Sequence, residues 1–167
     1  MEFFCAVGFA LIFIYSAWIW WKRREMPQSI SATVYDLSKK SKWIFTAVMF
    51  AVAFMIVPQM IERASEGTRF LAFLTWVGIL GVGADPLCHK EKHPIHYASA
   101  ILMGISSQLL VGINTPWALL TWIPYVVYTL YQTNGTKNMF LGEMSMLANV
   151  AIYALAWKQK SIGLIFI

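Results

Sequence analysis

"FFCAVGFALIFIYSAWIWW", residues 3–21, is a run without a charge that ends against Lys22, Arg23 and Arg24. A helix rises about 1.5 Å per residue, so roughly 20 apolar residues cross a hydrocarbon layer about 30 Å thick. This stretch has that length and a basic, aromatic flank suited to the headgroup level. It lacks the basic start and A-x-A-like cleavage site of a secretory leader, and is read as a retained span.

The same pattern recurs along the chain. Uncharged runs occupy 43–60, 70–84, 97–113, 116–131 and 139–157, the last interrupted by Glu143. With 59% hydrophobic and only 13% charged residues, against about a quarter charged in soluble domains, the chain is read as set in lipid. The expected fold is all-α: a polytopic integral membrane bundle of about six transmembrane helices, forming a single domain over 1–167. Trp43, Trp117, Trp122, Tyr131 and Trp157 near the run ends suit the membrane interface. Pro124 is expected to kink the fifth helix.

The net charge of +5 follows from basic residues flanking apolar runs, so it points to topology and anionic lipid rather than to nucleic acid. Nine of the thirteen Lys and Arg fall in the first, third and fifth loops: Lys22, Arg23, Arg24, Lys39, Lys40, Lys42, Lys90, Lys92 and Lys137. By the positive-inside rule these loops are cytoplasmic and both termini lie outside. A plasma or bacterial inner membrane is the expected location. Whatever the absolute side, the first and third loops share one face, because an even number of crossings separates them.

The third loop holds all three histidines in "GADPLCHKEKHPIH", residues 83–96. Asp85 and Pro86 suit the N-cap and first position of a short surface helix that Pro94 would end. Within such a helix His89 and His93 share a face. With His96, and with Cys88, Asp85 or Asp36 as further ligands, they are the candidate set for a divalent metal such as zinc, although the spacing is not a recognised zinc signature. Lys90 and Lys92 oppose a divalent cation there. The plainer account is a wet loop, and a disulfide between Cys5, inside a span, and Cys88 is not expected.

His96 opens the fourth run, and Ser99, Met103 and Ser106 follow it on one stripe, beside a small-residue stripe of Ala100, Gly104 and Ser107. In the third run Gly78 and Gly81 lead to Asp85, whose negative charge at a helix C-terminus calls for a basic partner. Residues 27–36, "PQSISATVYD", alternate Ser29, Ser31 and Thr33 with Ile30, Ala32 and Val34, which suggests an extended segment folding back over the bundle. Glu143 reads either as a first-turn carboxylate favoured by the helix dipole or as a partner for His96 or a basic ligand. Ser29, Ser31, Asp36, Asp85, His96, Ser99 and Glu143 form the candidate ligand-binding set.

With Pro27, Ile30 and Ser31 after the first helix, and His96 with Ala98 and Ala100 opening the fourth, the chain resembles the Frag1/DRAM/Sfk1 group of six-helix membrane proteins and similar bacterial DUF998-type proteins. The Asp that follows Ser in that pattern is Ala32 here, with Asp36 the nearest substitute. The resemblance implies a link to lipid remodelling, and a first loop outside the cytoplasm, opposite to the charge count. Three functions are weighed. The first is an integral membrane protein that binds a lipid or other amphiphile at a polar site on one face. The second is a metal-dependent intramembrane lipid hydrolase. The third is a small channel or effector subunit, as a homo-oligomer or with a membrane partner.

Overall fold

The computed structural model describes residues 1–38, 40–88, 94–131 and 139–155. Among them every regular element is helical: α1 (Glu2–Arg23), α2 (Lys42–Arg63), α3 (Arg69–Cys88), α4 (Pro94–Asn114), α5 (Ile123–Tyr131) and α6 (Met139–Leu155), with 3₁₀ helices at Ser31–Asp36, Glu66–Thr68 and Pro116–Trp122. Four helices, those within 2–23, 42–63, 66–86 and 95–114, are long and apolar enough to cross a membrane. The protein is an all-α membrane bundle.

Residue spacing decides which side of α1 faces inward. Cys5, Gly8, Phe9, Ile12, Tyr15, Ser16 and Ile19 are buried, three or four apart, while Phe3, Phe4, Ile14 and Trp21 stay exposed. In lipid such exposed side chains carry no hydrophobic penalty, so the inner face is chosen by packing and polar satisfaction. Arg24 ends α1 in the left-handed region (φ 63°), its N–H bonded to the Trp20 carbonyl at 3.0 Å. That geometry turns the chain back over the bundle.

Helices α1 to α4 pack in sequence order, and α6 closes the bundle against α1, α2, α4 and the 3₁₀ helix at 116–122. The α3–α4 seam is the tightest. A Cβ placed on Gly78 would lie 2.7 Å from the Met103 backbone nitrogen and 2.8 Å from the Ser99 carbonyl oxygen, and one on Gly81 would strike the Ser99 hydroxyl. Thr75 and Ser106 join across the same seam at 2.9 Å. Ser99, a candidate ligand residue, therefore serves this close approach.

Two helix boundaries differ from the sequence expectation. Asp85 and Pro86 do not start a surface helix; α3 runs through them to Cys88, and Pro94 begins α4 instead of ending a helix. Pro94 at the first helical position needs no donor, which accounts for the shift. Three residues before Pro86, the Thr46 hydroxyl donates to the Gly83 carbonyl at 2.7 Å, bringing α2 to the end of α3.

The fifth run is not one kinked helix. Pro116 opens a 3₁₀ helix that changes to α at Ile123, leaving Pro124 in the first turn of α5, where its missing N–H has no role. Seven residues at about 2.0 Å and nine at about 1.5 Å would reach roughly 27 Å if laid end to end. Thr121 donates to the Ser145 carbonyl of α6 at 3.2 Å, holding the 3₁₀ segment against the bundle.

The seam sets an expected contrast. Gly78→Ala should lower stability by about 1–3 kcal/mol, since backbone blocks the added methyl. Gly104→Ala, with nothing within 4 Å of the added carbon, should leave stability unchanged or slightly raised. Unfolding in detergent micelles measures both.

Candidate functional site

The first loop folds down onto the bundle as a 3₁₀ helix instead of the extended strand suggested by its alternation. The hydroxyls themselves explain this. Ser29 Oγ accepts the Ala32 amide at 2.9 Å, and the Thr33 hydroxyl donates to the Ile30 carbonyl, so side chains close the turn that an extended backbone would leave open. Thr33, wholly buried, also meets the Tyr15 hydroxyl of α1 at 2.9 Å.

Two further contacts tie the loop to α6. Phe140 donates its amide to the Gln28 carbonyl at 2.8 Å. The Glu143 carboxylate accepts the backbone amide of Ile30, next to Ser31 in the loop. Glu143 is therefore the anchor of the first loop, not a partner of His96.

Beneath this roof lies a partly open crevice of about 60 Å³, in the half of the bundle nearest the first loop. Its walls come from Ile12, Phe45, Met49, Val52, Ile79 and Val82, with Met103, Met146 and Leu147. Ile30, Ser31 and Glu143 complete it, so its polar lining is one hydroxyl residue and one carboxylate.

Asp85 and His96 stand near the same end. Asp85 lies one turn beyond Val82 in α3, and His96 two turns before Met103 in α4, both toward the third loop. Asp85 is only 2% exposed, and His96 Nδ1 is 3.9 Å from its Oδ2, which supplies the basic neighbour expected for an acid at a helix C-terminus. Tyr35 of the first loop, 56% exposed, has its phenol pushed above the usual value by partial burial and then by the nearby Asp85 charge and Tyr97. Tyr35 of the first loop thus stands near the end of α3 and the start of α4.

The remaining candidates have other work. Ser29 closes the 3₁₀ turn and lies 3.2 Å from Ser31 Oγ. Asp36 pairs with Arg23 at 2.9 Å near the surface, and Lys42 lies over the Tyr35 ring at 5.5 Å. His89 and His93 lie outside the described residues, and among those described no three His, Cys, Asp or Glu side chains form a group that could hold a metal.

No family model, curated protein or solved structure matches this chain. Function therefore rests on the residues themselves.

Two parts of the arrangement escaped the sequence reading. One is the Tyr15–Thr33 tie. The other is a polar network in which Gln108 Oε1 accepts from Trp122 Nε1 at 2.8 Å and Asn149 Nδ2 at 2.7 Å, fixing α4, α6 and the 3₁₀ segment together. Gln108 and Asn149 inside uncharged runs were the available signal.

The anchoring role of Glu143 has a local signature. Hydrogen bonds to a charged group contribute about 1.5–3 kcal/mol, so Glu143→Ala should speed amide exchange at Ile30 by roughly tenfold or more. Exchange within α2 should be unchanged, and hydrogen–deuterium exchange mass spectrometry resolves the two regions.

Proposed function

We propose that this membrane protein binds a lipid or another amphiphile, with the apolar part in the crevice and the polar end beneath the first loop. The observation that carries the reading is the crevice lining: apolar along its walls, with Ser31 and Glu143 as its polar residues. An amphiphile has that same division. Asp85, His96 and Tyr35 line the face from which a headgroup would approach.

Size narrows the class. A cavity of about 60 Å³ is well below the ~150 Å³ apolar cavity that admits benzene and the roughly 300–1,000 Å³ of drug-sized sites. It suits part of one unbranched chain, the remainder lying along the lipid-facing surface. Met49, Met103 and Met146 provide adaptable walls, since the thioether side chain repacks readily. Pro27, Ile30 and Ser31, which carry the resemblance to the Frag1/DRAM/Sfk1 group, lie in or beside this roof, and that group's link to lipids agrees with the reading. The hydrolase alternative rests on His96 together with His89 and His93, which lie outside the described residues. We place the protein in a plasma or inner membrane, with membrane lipids as its partners.

Lipid analysis after purification tests the reading. Wild type should retain a single-chain amphiphile, and Leu147→Trp, which fills the crevice from α6, should lose most of it while keeping its helix content. Equal retention by the two proteins would count against the proposal.

A further inference from the structure

The described carboxylates divide by their surroundings. Glu25, Glu62 and Glu66 are exposed. Glu2 pairs with Arg63 at 2.8 Å, Asp36 with Arg23 at 2.9 Å, and Asp85 has His96 at 3.9 Å. Glu143 differs: it is partly buried beside an apolar crevice, its hydrogen-bond partner is the Ile30 backbone amide, and among the described residues no Lys, Arg or His lines the space it borders.

A carboxylate withdrawn from water calls for compensation beyond neutral donors. It offers about four acceptor sites and the Ile30 amide uses one of them. The remaining capacity borders the crevice that Glu143 shares with Ser31. A phosphate or carboxylate head would meet like charge there, with no cation among the described lining residues to hold it.

Building on the amphiphile reading above, we infer that the preferred occupant is a long-chain primary amine, its ammonium donating to Glu143 and to the Ser31 hydroxyl and its alkyl chain entering between Val52 and Val82. An ammonium carries three donors in a compact head, matching one carboxylate and one hydroxyl. The polar residues adjoin the apolar wall directly, so the charge must sit at the end of the chain. That favours an alkylamine, as in a sphingoid base, over a phospholipid whose amine is separated from its tails by a phosphate.

The test uses full-length protein in phosphatidylcholine nanodiscs, with octylamine, octanol and octanoate as probes and empty discs subtracted. Octylamine should bind at least tenfold more tightly than octanoate, a comparison that needs no variant. Glu143→Gln should weaken octylamine by about tenfold or more, the scale of a lost charge-assisted bond, while leaving octanol binding unchanged. Octanoate binding as tightly as octylamine, or octylamine affinity untouched in Glu143→Gln, overturns the amine inference and leaves the amphiphile reading standing. Absence of binding by all three probes overturns both.

Discussion

The bond between the Glu143 carboxylate and the Ile30 amide, 113 positions earlier in the chain, is the constraint from which the site follows. A short loop over the end of a helix bundle has backbone donors that must be satisfied, and within an apolar setting water is a poor supplier. Glu143 supplies the acceptor for Ile30, and the Phe140 amide returns a bond to Gln28. The loop is thereby drawn onto α6 while Tyr15 and Thr33 hold it to α1. Ser31 becomes part of a crevice wall instead of a solvated linker.

Holding α6 in place is a separate problem, because lipid gives apolar helices little reason to associate. The bundle meets it with polar pairs at several depths. Gln108, Asn149 and Trp122 join α4, α6 and the 3₁₀ segment, and the Tyr153 hydroxyl reaches the Met60 carbonyl at 3.3 Å. On the far face, Asn114 accepts the Ser65 amide and donates to Thr68, binding the end of α4 to the turn before α3. These contacts fix α6 against both sides of the crevice. The Gly78 and Gly81 seam fixes α3 and α4, so the opposite wall is equally determined.

Much of this was legible in the sequence where a residue's neighbours are set by helical spacing. The first four spans and the shared face of Gly78 and Gly81 follow from periodicity, whereas the packing of α4 through Ser99 and Met103 onto those glycines does not. Asp85 announced its need for a basic neighbour, and His96 stands beside it. What could not be read depended on backbone partners. An amide carries no residue-specific signal, so nothing marked Ile30 as the partner of Glu143. Ser29 and Thr33 looked like one edge of a strand because their local bonds to backbone, which bend the chain, leave the alternation intact. Pro86 and Pro94 misled because both suit a helix start, and only Pro94 occupies one.

An experimental density map of the protein in lipid, at a resolution that shows side chains, tests the central claim most directly. The account predicts residues 31–36 seated against α1 and α2, Gln28 and Ile30 bonded to α6 with the Glu143 carboxylate against the Ile30 amide, and elongated density entering the crevice with its polar end at Ser31 and Glu143. A first loop lifted away from α6, or a crevice filled by its own side chains while an amphiphile sits elsewhere, would contradict it.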